Sequence, residues 1–289
     1  MSSKDTLFST KRTINCNGRV VDFSTPRIMG ILNVTPDSFY DGGRYQTEKQ
    51  VLKRAEAILN EGADIIDVGA YSSRPGAADI TAEWEKERLV PAFRVIRKAF
   101  PDALLSVDTF RAGIAEYMAN EFGVSIINDI SAGMMDDNML VTLGRMKVPY
   151  IMMHMQGTPQ NMQKYPRYND VTRDLLAFFT QRMALAREAG IEDIIIDPGF
   201  GFGKTPDHNF LLLRELDLFS MLDCIIMVGL SRKSMIYKSL NITSDQALNG
   251  TTVLHTLALQ NGAKLLRVHD VKEALETVRL FTLYRNASA

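Results

Sequence analysis

The chain has 289 residues, 46% hydrophobic and 23% charged, with 33 lysines and arginines against 34 aspartates and glutamates. That composition is globular, and a net charge of −1 leaves no electrostatic footprint for nucleic acid or an anionic membrane. Cys16 and Cys224 are too few for a disulfide framework or a CxxC metal site, no apolar run is long enough to span a bilayer, and the start MSSKDTLFST lacks a signal peptide's apolar core, so a cytoplasmic protein is expected.

The first element is TINCNGRVVDF, a hairpin expected within residues 12–24 that turns at Asn17-Gly18. Eight β-branched apolar runs follow in order: PRIMGILNV, DIIDVG, LLSVD, SIIND, YIMMH, IIIDPG, CIIMVG and LLRVH. Amphipathic or capped helical stretches separate them, among them EKQVLKRAEAILNEG, ITAEWEKERLVPAFRVIRKAF and VTRDLLAFFTQRMALAREAG, and DVKEALETVRLFTLYRN follows the last. Gly62, Gly123, Gly190 and Gly262 stand where helices end before the next run, positions that favour a left-handed cap. Eight βα units in one series predict an α/β fold of the (β/α)8 TIM barrel type with a short N-terminal β-hairpin, as one domain over residues 1–289.

The carboxyl ends of the runs carry Asn33, Asp67, Asp108, Asn128 with Asp129, His154, Asp197, Gly229 with Ser231, Arg232 and Lys233, and Arg267 with His269. In a barrel these ends converge on one mouth, where catalytic groups sit. Carboxylates and amides there suit a planar heterocycle with donor and acceptor edges. Arg267, His269, Arg232 and Lys233 suit a phosphorylated anion. The stretch DPGFGFGKT, Asp197 to Thr205, looks like a phosphate loop, but Pro198 stands where the pattern requires glycine. Four histidines and no HExxH argue against zinc hydrolysis, whereas Mg2+ accompanying a diphosphate needs few protein ligands.

The segments MGILNVTPDSFYDGG, GADIIDVGAYSSRPGA, SVDT, INDISAG, MHMQGTP, DPGFGFGK, VGLSRKSMI and RVHDV resemble the successive motifs of dihydropteroate synthases, the sulfonamide targets of folate biosynthesis. The resemblance implies a pterin-binding barrel that transfers the pterin-methyl group of 6-hydroxymethyl-7,8-dihydropterin diphosphate to 4-aminobenzoate. Products are 7,8-dihydropteroate and magnesium diphosphate, and a homodimer is implied. Asn33 matches the residue that holds Mg2+ and diphosphate, within a first loop containing TPDSF. Asp108, Asn128, Asp197 and Lys233 match the pterin set, with Asp197 accepting two bonds from the 2-amino and ring N–H edge. Arg267 and His269 match the diphosphate pair, with Arg74 toward the same group and Arg267 also stacked on the pterin. Ser73, Arg74, Pro75, Phe202 and Ser231 match the aminobenzoate surroundings, and Lys204 lies near the pocket floor. Asp108, Lys233, Arg267 and His269 form the implied catalytic set. The family more usually reads GGESTRPG where this chain has GAYSSRPG, so Ala70, Tyr71 and Ser73 depart from its pattern.

Simpler roles stand beside these. Asp67 is expected to accept loop amides at a strand end, His154 to brace a loop, Thr205 to cap a helix, His208 to begin that helix, and Trp84 to be half-buried. Two other functions fit parts of the pattern: methyl transfer from methyltetrahydrofolate to a corrinoid protein, and pterin binding without catalysis. The first has little need of the RKS and RVH groups, and the second would favour loss of Asn33, Arg267 or His269; all are retained.

Overall fold

The computed structural model of the protein describes residues 12–34, 43–72, 79–164 and 166–287. Ser73, Arg74, Pro75 and the TPDSF stretch lie outside the described residues. The two hairpin strands are β1 (Thr13–Cys16) and β2 (Arg19–Asp22). The barrel strands are β3 (Arg27–Asn33), β4 (Ile65–Gly69), β5 (Leu104–Asp108), β6 (Ile126–Asp129), β7 (Tyr150–Met153), β8 (Ile194–Asp197), β9 (Ile225–Val228) and β10 (Leu265–Val268). They pair in parallel in sequence order and close where β10 pairs with β3. Each is followed by helix: α1 (Gly43–Asn60), α2 (Ala82–Ala99), α3 (Ala112–Phe122), α4 (Met139–Met146), α5 (Val171–Glu188), α6 (Pro206–Arg214), α7 (Ser234–Tyr237) with α8 (Leu248–Gln260), and α9 (Val271–Asn286). The expected eight units and the hairpin are therefore present.

Local chemistry sets the helix ends. Thr81 accepts from the Trp84 amide at the start of α2, which carries Glu83 and Glu85 in its first turn and Arg97 and Lys98 in its last, charges aligned with the helix dipole. Thr205 and His208 form a reciprocal capping box on α6, as expected of both. Gly62, Gly123, Gly190 and Gly262 all take positive φ. Trp84, in contrast, is 59% exposed, because its helix turns Leu89, Ala92, Phe93 and Ile96 inward instead.

Side-chain alternation divides each strand between two cores. Ile66, Val68, Leu105 and Val107 face the helices and join the large outer core. Met29, Ile65, Leu104, Ile126, Ile151, Ile195, Ile225, Met227 and Leu265 face the barrel axis, and with Ile14, Cys16, Val21 and Phe23 of the hairpin they form a second cluster. The hairpin is thus a floor across the barrel bottom, each large side chain buried there contributing about 1.5–3 kcal/mol. Its turn uses Asn17 at φ 53° and Gly18 at φ 88°, the left-handed pair that a tight hairpin requires. Polar bonds seat it against the loops before three strands: the Asn15 amide donates to Asp193 Oδ2 at 2.7 Å, Asn17 Nδ2 to Val124 O at 3.3 Å, and Arg19 Nη1 to Asp102 O at 3.2 Å.

Candidate active site

Above the floor, the same inward-facing rows turn polar. Register sets Asp67 beside Ser106, and Asp108 beside Gly69 and Asn128. Gly69 leaves room for this: a Cβ there would lie 3.1 Å from the Cβ of Asp108. A cleft of about 360 Å3, counting the part open to solvent, is lined by Asp108, Asn128, Asp197, Lys233 and Arg267, with Ile130, Met153, Phe200, Phe202 and Gly229. All five polar members were expected from the sequence.

Arg267 holds the polar side together. Its Nε donates to Asp67 Oδ2 and its Nη2 to Asp108 Oδ2, both at 2.7 Å. Asp67 is fully buried, and its Oδ2 also accepts from Asn128 Nδ2 at 3.1 Å. The loop-amide role expected of Asp67 is therefore incorrect: it lies two residues inside the strand end and faces the axis, so its partners are side chains across the barrel. Burial raises Asp108, Arg267 opposes the rise, Asp67, Glu85 and Asp129 add to it, and the result is about 7. Burial weighs against the charge of Arg267, but Asp67 and Asp108 outweigh it and hold the guanidinium above its usual value.

Asp197 is 5% exposed. The Gly199 amide donates to its Oδ1 at 2.8 Å, and Oδ2 has no hydrogen-bond partner among the described residues. Burial raises this carboxyl, while the Gly199 amide, Lys233, Arg267 and Lys204 hold it down. Lys233 Nζ lies 4.2 Å from the centroid of the Phe202 ring. Burial lowers this amine to about 8, Asp197 opposing and Arg267 assisting. The cleft thus offers the acceptors of Asp197 and Asn128 beside the Lys233 amine and the Arg267–Asp108 pair, among the apolar side chains of Ile130, Met153, Phe200 and Phe202.

The loops after β7 and β8 are bound into one body. Gln163 Nε2 donates to Gly201 O at 2.6 Å, and Tyr168 Oη to Gly203 O at 2.9 Å. Lys204 is 3% exposed and belongs to this body, behind the loop and not on the cleft lining. His154 packs edge-on against Phe178 at 4.8 Å and approaches Lys204 Nζ at 3.1 Å through Nδ1, in keeping with the brace expected of it.

The rim after β9 and β10 differs from the expectation at Arg232. Arg232 is engaged by Asp270 through Nε and Nη2, both at 2.9 Å, and by the carbonyls of Ser244 and Asp245. It joins two loops, and Asp270 already neutralises the charge that suggested anion binding. β10 ends at Val268, so His269 stands on the rim one residue past the strand that carries Arg267. Its amide donates to Ser231 Oγ at 3.2 Å and its carbonyl accepts from Arg54 Nη2 at 2.7 Å, and burial and the nearby Arg267 lower its imidazole to about 4. Asp129 also turns away from the cleft, where Tyr150 Oη donates to it at 2.6 Å beside the amides of Ser131 and Gly133.

Two residues named in the sequence have partners at the site that the sequence does not show. Asp67 is a member of the polar network, and the signal for it was its place two residues before a strand end. Tyr71, noted only as a departure, packs edge-on against Phe110 at 5.0 Å, beside an apolar cluster that includes Ile130, Met153, Met155 and Met162. Its hydroxyl accepts from Gln160 Nε2 at 2.9 Å.

Among the described residues no cluster of three or more His, Cys, Asp or Glu is arranged to hold a metal ion. The Asn33 side chain, at the end of β3 and partly exposed, has no hydrogen-bond partner among the described residues. A single hard oxygen fits Mg2+, which keeps several waters and takes substrate oxygens.

The family of pterin binding enzymes matches residues 29–269. The dihydropteroate synthase of Escherichia coli strain K12 is 41% identical over 265 residues, spanning 91% of this chain and 93% of that protein. Among solved structures, the dihydropteroate synthase of Yersinia pestis with a sulfonamide drug complex is 39% identical with a TM-score of 0.89, covering 95% of this chain and 100% of that one. The Xanthomonas albilineans enzyme in complex with 7,8-dihydropteroate is 33% identical with a TM-score of 0.84, covering 96% and 100%.

Proposed function

The chain belongs to the pterin binding enzymes, among their dihydropteroate synthases, and on that premise we propose how its barrel mouth condenses 6-hydroxymethyl-7,8-dihydropterin diphosphate with 4-aminobenzoate. The observation that carries the assignment of roles is the cleft itself, where the acceptors of Asp197 and Asn128 share one space with the cations Arg267 and Lys233. Asp197 takes the 2-amino and ring N–H edge of the pterin. One carboxylate oxygen has a single amide partner and the other none among the described residues, so both bonds can be accepted. Asn128, its amide hydrogen held by Asp67, presents its carbonyl, and Lys233 donates to the acceptor side of the ring.

Arg267 and His269 stand where diphosphate charge develops. Arg267 is an oriented cation that stabilises the departing group without reorganising at the moment of reaction, and His269, lowered to about 4 by burial and by Arg267, is a neutral imidazole that donates one N–H. Asp108, 2.7 Å from Arg267, orients that guanidinium and steadies the positive charge left on the pterin methylene. The arylamine attacks from the side of Phe202 and Ser231. It needs no enzyme nucleophile, and orientation supplies much of the acceleration. Mg2+, held by Asn33 and the substrate's own oxygens, would neutralise leaving-group charge.

A cytoplasmic location agrees with the balanced charge and with the finding that no helix among the described residues is long and apolar enough to cross a membrane. A homodimer is supported by apolar side chains on adjacent helices: Val253 and Leu257 on α8, and Leu280, Leu283 and Tyr284 on α9, are 46% to 73% exposed. Incubation with the pterin diphosphate, 4-aminobenzoate and Mg2+ is expected to release dihydropteroate and diphosphate in equal amounts. Diphosphate released without arylamine incorporation would overturn the reaction assigned here.

A further inference from the structure

Gly199, Gly201 and Gly203 take φ of 70°, 81° and 63° and wind the loop after β8 into a cup. Its contents are opposite in sign to those of a phosphate loop. Carbonyl groups turn inward, and Lys204 Nζ sits among them, 3.0 Å from Gly199 O, 3.1 Å from Phe202 O and 3.4 Å from His154 O. His154 Nδ1, at 3.1 Å, completes the set. An ammonium has three donors and no acceptor. The three nearest atoms match those donors if His154 carries its own proton on Nε2.

The cup cannot relax by a simple side-chain move. A Cβ on Gly199 would lie 2.0 Å from His154 O, and one on Gly203 would lie 2.8 Å from Gln156 O. Both walls of the cup also grip Asp197: the Gly199 amide donates to its Oδ1 at 2.8 Å, and the His154 amide donates to its carbonyl at 3.0 Å. The Phe202 carbonyl that binds Lys204 belongs to the residue whose ring lies under Lys233.

We propose that Lys204, with His154, is an internal lysine staple that positions Asp197 for the pterin and Phe202 for the aminobenzoate. Lys204 is a positioning residue, and the role rests on the substrate assignments made above for Asp197 and Phe202. The charged groups facing it are Asp197 and Lys233. His154 touches it directly; the Tyr168 ring lies tilted at 6.0 Å from His154, and His208 meets Tyr168 edge-on at 5.1 Å. The charge of Lys204 also opposes the rise that burial imposes on Asp197, so the staple favours the ionised carboxylate as well as its orientation.

The test compares wild type with Lys204→Met, His154→Leu and His154→Asn. The Asn Oδ1 can accept where Nδ1 did, and Leu cannot. Titration with 6-hydroxymethyl-7,8-dihydropterin over roughly pH 5 to 8 and the KM for 4-aminobenzoate are the readouts, with amide exchange at Gly199 as a ligand-free measure. Lys204→Met is expected to weaken pterin binding about tenfold, raise the KM, move the acid limb of pterin binding to higher pH and quicken Gly199 exchange. His154→Leu should share these changes in smaller measure, and His154→Asn should stay near wild type.

Unchanged pterin affinity, pH profile and Gly199 exchange in a folded Lys204→Met protein would overturn the staple. If Lys204→Met does not fold, the histidine pair decides: equal behaviour of the Asn and Leu variants overturns it, and rescue by Asn supports it. Wild-type protein that binds no pterin would strike the substrate assignment instead, and Gly199 exchange would still judge the staple.

Discussion

Arg267 and Asp108, 159 positions apart in the chain, are joined across the barrel mouth by a 2.7 Å bond from Nη2 to Oδ2. Asp67 takes Nε at the same distance, so the guanidinium spends part of its fork on the protein. Arg267→Ala is therefore expected to act twice. Loss of a buried partner costs about 3–5 kcal/mol, to be seen as lower resistance to denaturant, with partial recovery when Asp67→Asn is added. Binding of the pterin diphosphate should fall much further than binding of the free hydroxymethylpterin. Equal losses for the two ligands would take Arg267 out of the diphosphate site.

Asp197→Asn keeps an oxygen for the Gly199 amide and loses the second acceptor. The expected outcome is a folded protein with stability near wild type and pterin affinity lower by about ten- to a hundredfold, the effect of roughly 1.4–3 kcal/mol. Calorimetry decides it: unchanged affinity would place the pterin elsewhere.

The pH dependence of stability has a definite sign at Lys204. Burial lowers this amine from 10.5 to about 7, so between those values the native state holds fewer protons than the unfolded chain and stability rises with pH. The stability of wild type relative to Lys204→Met should grow by up to about 1.4 kcal/mol per pH unit above neutrality. Asp108 acts in the opposite direction: its value is raised to about 7, so its contribution declines as pH climbs from the ordinary carboxylate range to neutrality. Denaturation midpoints of the two proteins across this interval are the check, and a constant difference would show that Lys204 keeps its proton.

Leu283 is 69% exposed on α9, close to Leu280 and Tyr284. Leu283→Asp is expected to convert a dimer to monomer in sedimentation equilibrium while leaving free-pterin binding intact, since the helix lies on the barrel's outside. A wild type that sediments as a monomer at all concentrations would discard this face as an interface.

The barrel was legible because alternation of apolar runs and amphipathic stretches is a local signal, repeated eight times. The mouth was legible for the same reason: a polar residue ending an apolar run must lie where the strands end. Pairings across the barrel were not. Arg267 with Asp67, and Arg232 with Asp270, depend on closure and on loop paths that no sequence window contains. Lys204 shows the limit clearly. Its GFGFGK setting only looks like a phosphate loop, a reading that Pro198 sets aside, and the resemblance places Lys204 no more closely than near the pocket floor; three left-handed glycines turn carbonyls inward around it, and backbone polarity follows φ and ψ, which the glycines leave open.

The floor made by Ile14, Cys16, Val21 and Phe23 also governs the order in which the protein can be assembled. The hairpin is local and closes within microseconds, yet it is seated by bonds that reach Asp193, 178 positions away, and β3 waits for β10 to complete its sheet. Segments synthesised first are thus among the last to find their partners. Until Leu265 and its neighbours emerge, the apolar face of the hairpin has nothing complete to cover, and such high contact order slows folding and prolongs exposure to aggregation. The hairpin and β10 share one apolar cluster, so a chain stopped before β10 is expected to leave part of the hairpin's apolar face uncovered.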